Sequence, residues 1–111
     1  MVYYGGKMRI NFLHPEVQKG LNSTVRLGDR EEYKSGVELE IYETGAETPV
    51  ATGIITEVKK KPYWKITHYD IRFQHDKETR NLAGLWEAMV SAYGEKIDRD
   101  SIVTLVYFKV G

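Results

Sequence analysis

The segment Ile102–Val110, with the sequence IVTLVYFKV, decides how this chain of 111 residues folds. Apart from Thr104 and Lys109 its residues are all apolar, and most are β-branched or aromatic, the types that favour strands. A strand that is apolar on both of its faces has to be covered on both. We therefore predict a central strand here, with other elements packed against each face.

A helix is predicted shortly before this strand. It runs from about Thr79 or Asn81 to Tyr93, and Gly94 stops it. Its apolar residues recur at helical spacing and form one face, which consists of Leu82, Leu85, Trp86, Met89, Val90 and Tyr93. We expect this face to pack on the sheet that contains the central strand.

Alternating or apolar patterns predict four more strands, at residues 8–12, 24–27, 37–41 and 50–59, with a break at 60–62. A short helix is predicted at 14–20, because Pro15 suits its first turn and Gly20 its end. Residues 64–78 fit a strand and helical turns equally well. Residues 1–7 are expected to be a loose lead-in to a single domain of residues 8–111. This order predicts the α+β class, as a small β-barrel or curved mixed sheet with a short N-terminal helix and one longer amphipathic helix.

The composition excludes several classes of protein. Sixteen basic residues balance sixteen acidic ones, so any nucleic-acid surface has to be a local patch. The absence of cysteine excludes disulfides and thiolate zinc sites and fits a reducing cytoplasm, where we expect the protein to work. No stretch approaches the length of a membrane span, and three dispersed histidines predict neither a metal site nor a cofactor. Few Asn and Gln residues beside many Lys, Glu and Arg hint at a thermophilic source.

Arg26 stands inside the apolar run Val25-Arg26-Leu27, within the stretch QKGLNSTVRLGD of residues 18–29. One interpretation is that Val25 and Leu27 face inward while Arg26 faces water. The other is that Arg26 lines a cleft, where its guanidinium fork suits a phosphate or a carboxylate. The sequence leaves both interpretations open.

Residues 59–65, with the sequence KKKPYWK, combine basic and aromatic side chains. Such a segment suits single-stranded RNA, because lysines neutralise phosphates and aromatic rings stack on bases. Lys59, Lys60, Lys61 and Lys65 would contact the phosphates, and Tyr63 or Trp64 a base. The alternative is a solvated end of a hairpin with Trp64 turned into the core.

Several segments together resemble the ASCH domain of the PUA-like superfamily. They are Gly20 with Thr24 and Arg26, the turn YKSGVEL at 33–39, the strand ATGIITEV at 51–58, the amphipathic helix and the final strand VYFKV at 106–110. The resemblance covers roughly residues 8–110 and implies a small β-barrel with helices beside a cleft, and a role in binding RNA. In the family motif G-x-K-x-x-E-x-R, where Thr replaces Glu in one branch, a lysine is expected. Here the segment is one residue shorter, and Asn22 or Leu21 stands in that place.

The family also contains small amidohydrolases that remove the acetyl group of N4-acetylcytidine. That resemblance implies catalytic roles for Thr24 and Glu78 and ligand-binding roles for Arg26 and Asn22. However, Thr24 fits the propensity of a strand and Glu78 fits a helix dipole without any chemistry. Without the lysine, nothing in the motif takes the proton of the threonine hydroxyl. We therefore predict binding of RNA or a nucleotide-like small molecule. An amidohydrolase is the first alternative, and a small protein-interaction module is the second.

Overall fold

A computed structural model describes residues 7–13 and 15–111. Within them the chain forms the strands β1 (Met8–Phe12), β2 (Gly20–Leu27), β3 (Glu38–Glu43), β4 (Ala51–Pro62) and β5 (Ile102–Val110). One α-helix, α1, covers Leu82–Tyr93. Three single turns of 3-10 helix, η1 to η3, lie at Tyr63–Lys65, Lys77–Thr79 and Gly94–Lys96. The α+β class predicted from the sequence is confirmed.

The five strands form one mixed sheet in the order β1-β3-β4-β5-β2. β5 pairs antiparallel with β4 on one side and β2 on the other, whereas β1 pairs parallel with β3. All residues of β5 from Val103 to Phe108 are buried. The final segment is thus the covered internal strand that its composition predicts.

Each face of the sheet carries its own apolar core. On one face Val103, Leu105 and Tyr107 of β5 pack with Leu85 and Met89 of α1. On the other face, Val106 and Phe108 pack with side chains of β1, β3 and β4, namely Ile10, Phe12, Leu39, Ile41 and Ile55. The alternation of side chains along β5 therefore divides it between the two cores.

The predicted long helix is confirmed, and its ends have the expected chemistry. Asn81 caps it, with its Oδ1 accepting a hydrogen bond from the Gly84 N–H at 2.7 Å. Gly94 closes it with a φ of 57°, and its N–H donates to the Val90 carbonyl.

The sheet is curved but does not close into a barrel. β1 and β2 are its two edges, and a side chain bridges them, because the Arg26 Nη2 donates to the Asn11 carbonyl at 2.9 Å. Next to this bridge, residues 73–75 run along β2. Ser23 N–H donates to the Phe73 carbonyl at 2.8 Å, and His75 N–H donates to the Ser23 carbonyl at 3.1 Å. Of the two predicted architectures, the curved mixed sheet is the one observed.

The short helix predicted at 14–20 is wrong for the residues that the structure describes there. Residues 15–18 have no regular secondary structure, and Gly20 begins β2 with a φ of 93°. The buried side chain of Asn22 explains the difference. Its Oδ1 accepts from the Gln18 N–H at 3.0 Å, and its Nδ2 donates to the carbonyls of Gln18 and Gly20 at 2.7 and 3.1 Å. The first of these bonds takes the Gln18 N–H, which a helix would have used, and the other two hold the chain in its non-helical course. His14 and the lead-in residues 1–6 lie outside the described residues.

Two other boundaries differ from the prediction. The break expected at 60–62 is absent, since β4 continues to Pro62, which pairs with Ile102. A bulge in β4 between Ile55 and Glu57 shifts the register, which accounts for apolar residues at both parities along this strand. The unassigned segment 64–78 consists of turns, with Ile66 and Ile71 buried under the sheet.

Candidate ligand sites

The space between the two edges of the sheet forms a cleft of about 390 Å³, here called the Arg26 cleft. Strands β1 and β2, residues 74–79 and one flank of α1 provide its walls. The lining side chains with polar groups are Asn11, Thr24, Arg26, Thr44, Gln74, His75, Asp76, Thr79, Ser91 and Tyr93.

Arg26 lies half-buried in the wall of this cleft. Its guanidinium carbon is 4.9 Å from the centre of the Phe12 ring, and Nη2 donates to the Asn11 carbonyl. Its Nε is buried and has no hydrogen-bond partner among the described residues. Arg26 thus lines a cleft, as the second interpretation of the sequence proposed, and it also ties together the edges of the sheet, which the sequence did not indicate.

His75 also packs against the Phe12 ring, with 4.2 Å between the ring centres. Burial and the neighbouring Arg26 guanidinium lower its pKa to about 4, so the imidazole is neutral at pH 7. Its Nδ1 is buried without a partner in residues 7–13 and 15–111. The sequence analysis missed His75, because its position depends on a segment whose structure could not be assigned.

A chain of buried hydrogen bonds fixes the wall that carries His75. The Ser23 hydroxyl donates to Gln74 Oε1 at 2.9 Å, and Gln74 Nε2 donates to Thr79 Oγ1 at 3.3 Å. The Thr79 hydroxyl in turn donates to the Asp76 carbonyl at 2.7 Å. Since every side chain in this chain of bonds is paired, residues 74–79 are held rigidly against β2.

The candidate catalytic residues are separated in space. Thr24 is buried in the wall of the Arg26 cleft, but Glu78 is exposed on η2 and does not line it. Asp76, which caps η2 by accepting from the Glu78 N–H at 3.0 Å, lines the cleft in its place. None of the described residues that line the cleft is a lysine. His75, with a pKa of about 4, is a poor general base at neutral pH.

Asn22, a predicted ligand-binding residue, does not line the Arg26 cleft. It is fully buried, and its amide is used in the three hydrogen bonds that order residues 18–20. The structure gives it a role in the fold.

Three lysines of the basic segment form ion pairs within the molecule. Lys61 Nζ lies 2.7 Å and Lys59 Nζ 3.4 Å from the carboxylate of Asp70, and Lys60 pairs with Asp29. Burial alone would raise the pKa of Asp70, but the hydrogen bonds from Lys61, the Thr67 N–H and Lys59 hold it at about 2. None of these lysines lines the Arg26 cleft.

The aromatic residues of the same segment line a different pocket, of about 380 Å³, here called the aromatic pocket. Its lining residues are Tyr63, Trp64, Ile66, Leu82, Ala83, Trp86, Glu87 and Arg99. Trp64 is 58% exposed, so it is not turned into the core; the side chain turned inward is Tyr63, which is 5% exposed.

The described part of the chain contains no group of three or more His, Asp or Glu side chains placed to hold a metal ion. None of its helices is both long enough and apolar enough to cross a bilayer.

Comparison with known proteins identifies the fold. No protein-family model and no curated protein matches this sequence. The crystal structure of an ASCH domain from Lactobacillus crispatus JV V101 superposes with a TM-score of 0.72 at 16% identity, covering 96% of this chain and 80% of that one. A DUF984 protein from Enterococcus faecalis V583 gives a TM-score of 0.50 at 16% identity, covering 83% of this chain and 63% of that one. At such identities the likeness concerns the fold, and the ASCH-like fold expected from the sequence is confirmed.

Proposed function

We propose that this protein binds a nucleotide, free or as part of RNA, in the Arg26 cleft. One observation carries the proposal: a guanidinium is fixed in the wall of a ligand-sized cleft by the Phe12 ring and the Asn11 carbonyl. An arginine held in this way is preorganised, so a bound anion does not have to order it. The volume of about 390 Å³ falls within the range of roughly 300–1,000 Å³ that small-molecule sites occupy.

The remaining walls suit the other parts of a nucleotide. Leu13 after β1 and Ala88 and Ala92 on α1 provide exposed apolar surface for a sugar or a base edge. Neutral His75 and the hydroxyl of Thr24 provide groups that both donate and accept hydrogen bonds. The fold shared with an ASCH domain supports the RNA role that the sequence resemblance implies.

Binding is favoured over hydrolysis by the surroundings of Thr24. A threonine nucleophile needs an adjacent base, and the cleft offers neither a lysine nor a histidine of suitable pKa. An amidohydrolase would need a different base. A protein-interaction module would use the guanidinium only as a tie between the edges of the sheet and would leave the cleft beside it empty.

The test is a titration of isotope-labelled protein with cytidine and uridine monophosphates, followed by amide chemical shifts. We expect shifts at residues 24–26 and 74–79. Arg26→Lys keeps the charge but loses the planar fork, and should weaken binding by about 10- to 100-fold, the equivalent of one charge-assisted hydrogen bond. Because Arg26 also bonds to Asn11, thermal melts have to accompany this variant.

Thr24→Val is the matched second variant, since it keeps the shape of the side chain and leaves Arg26 in place. It should weaken nucleotide binding less than Arg26→Lys does. Absence of shifts in the cleft, or equal affinity of wild type and Arg26→Lys, would rule out the proposal. Hydrolysis of N4-acetylcytidine that Thr24→Val abolishes would establish the amidohydrolase instead.

A further inference from the structure

The aromatic pocket is a second site, separate from the Arg26 cleft. The two share no lining residue, and they use different flanks of α1: Leu82, Ala83, Trp86 and Glu87 here, and Leu85, Ala88, Met89, Ser91 and Ala92 there. The proposed function makes no use of this pocket. Its contents therefore call for a separate explanation.

Cations and aromatic rings alternate around the pocket. The Arg99 guanidinium carbon is 4.9 Å from the centre of the Trp86 ring, and Lys65 Nζ is 5.2 Å from that of Trp64. Trp86 also packs against Tyr63, with 4.8 Å between ring centres. An exposed indole such as Trp64 offers a flat surface at little entropic cost, and the nearby cations suit an anion next to whatever stacks on it.

Tyr63 is the buried aromatic side chain of the pocket, and its hydroxyl has no hydrogen-bond partner within the described chain. That hydroxyl also has no accessible surface, so a molecule in the pocket cannot reach it. What the pocket offers to an anionic ligand is therefore the pair of cations beside its two indole rings.

We infer that the aromatic pocket binds an unpaired nucleobase of single-stranded RNA. The base stacks on Trp64, and its phosphate lies near Arg99 or Lys65. An apolar peptide side chain would make no use of these cations. The choice of RNA as ligand rests on the proposed function, but the site itself is new and can fail separately.

The chain contains two tryptophans, and both line this pocket, so intrinsic fluorescence reports directly on its occupancy. The probe is a hexamer of uridylate carrying a terminal dye, so that anisotropy measures total binding in the same titration. We expect the oligonucleotide to quench tryptophan fluorescence. Trp64→Ala should weaken binding by about 5- to 150-fold, the range found for loss of one stacked base, while leaving the melting temperature near that of wild type.

Arg99→Gln tests the cation beside Trp86. If a phosphate lies next to Arg99, this variant binds the oligonucleotide several-fold more weakly, and affinities equal to wild type in both Arg99→Gln and Trp64→Ala overturn the inference. Glu38→Gln, at an exposed position that lines neither site, is the control and should retain both the affinity and the full amplitude of quenching.

The two proposals fail in different ways. This inference is overturned if anisotropy shows RNA binding, the tryptophan fluorescence does not change, and Trp64→Ala binds as tightly as wild type. That result leaves the proposal for the Arg26 cleft standing. The proposal for the Arg26 cleft is overturned instead if RNA quenches the tryptophan fluorescence and Arg26→Lys changes neither the quenching nor the anisotropy. A tryptophan response to N-acetyltyrosinamide but not to RNA assigns the pocket to a protein side chain and overturns the inference.

Discussion

At the scale of single residues, Asp70 is a buried charge with several partners. It is 3% exposed, and it accepts hydrogen bonds from Lys61, Lys59 and the Thr67 N–H. The Tyr107 hydroxyl donates to its backbone carbonyl at 2.7 Å. Asp70 therefore fastens the turns after β4 to β4 and β5 through both its side chain and its backbone.

Asp70→Asn should lower the free energy of unfolding in a pH-dependent way. The folded pKa of about 2 is below the ordinary value of 3.8, so the charged carboxylate stabilises the fold above about pH 4. That contribution is lost as the pH falls through 2. We expect the variant to be about 2 kcal/mol less stable at pH 6, with the difference shrinking towards pH 2. Urea unfolding at several pH values measures this.

Asp29→Asn is the matched control, since Asp29 pairs with Lys60 at the surface. Surface ion pairs contribute little to stability. Its unfolding curve should follow that of wild type at every pH. A constant difference between wild type and Asp70→Asn from pH 6 to pH 2 would contradict the role given to the carboxylate.

Two buried tyrosines predict opposite effects of the same change. Tyr63→Phe removes a hydroxyl without a described partner and should raise stability by up to about 1 kcal/mol. Tyr107→Phe removes the donor to the Asp70 carbonyl and should cost about 1–3 kcal/mol. Thermal and urea melts of the two variants decide the matter, and a loss of stability in Tyr63→Phe would point to a partner for that hydroxyl within the protein.

At the scale of elements, the contact between η2 and α1 depends on Gly84. A Cβ at this position would lie 1.9 Å from the Glu78 carbonyl oxygen, which belongs to the backbone of η2. Helix propensity alone predicts that alanine here gains about 1 kcal/mol. We expect the reverse, a loss of about 1–3 kcal/mol, because the clash forces η2 away from the helix.

Ser91→Ala, at an exposed position of the same helix, is the control for propensity and should be neutral or slightly stabilising. Urea unfolding measures both variants. A rise in the stability of Gly84→Ala would show that η2 yields without cost. The same variant should disturb nucleotide binding, because η2 continues the wall that carries His75.

The elements that could be predicted from the sequence are those with a local signal. β1 and α1 show their periodicity over consecutive residues, β5 is a nearly continuous apolar run, and the structure confirms all three. The helix at 14–20 was wrong because proline and glycine at suitable positions do not reveal that Asn22 pairs the intervening backbone. The turns of 64–78 were unassigned because their apolar residues are spaced by tertiary packing, not by a repeat.

The candidate site divides in the same way. Thr24 and Arg26 were predicted together because they are two residues apart on one strand. His75 and Asp76 were not, because their segment reaches β2 through hydrogen bonds between residues distant in sequence. Asn11 was not, because it lies on the opposite edge strand and meets β2 only where the sheet curves. The basic character of Lys59, Lys60 and Lys61 is evident from the sequence. Their pairing is not, because Asp29 is distant along the chain and Asp70 lies beyond a turn.

At the scale of the whole molecule, the balance of sixteen positive and sixteen negative residues is reproduced locally. The most basic segment of the chain is paired with Asp70 and Asp29, so it presents less free charge than its sequence implies. A bound RNA strand would have to replace these carboxylates with phosphates. The freed carboxylates would take up cations, and this uptake offsets part of the counterion release from the RNA.

This predicts a shallow dependence of RNA affinity on salt. Arg26 in its cleft and Arg99 or Lys65 beside the aromatic pocket account for about two phosphates. The logarithm of affinity should then fall by about 1.4 for each log unit of salt, at 0.7 per phosphate on a single strand. Had all four lysines of the segment contacted the backbone in addition to Arg26 and Arg99, six phosphates would give a slope of about 4. Anisotropy titrations with short labelled RNAs at several salt concentrations distinguish these values.

Removal of a pairing carboxylate provides the internal control. Asp29→Asn frees Lys60 from its ion pair. If RNA passes near the end of β4, this variant should show a steeper dependence of affinity on salt. Lys60→Gln should keep the shallow slope of wild type. Both substitutions lie at the surface and should preserve the fold, which melting curves verify. A slope near 4 in wild type that falls in Lys60→Gln would show that the lysines abandon their carboxylates for phosphate. Segment 59–65 would then be the main RNA contact, with the Arg26 cleft secondary to it.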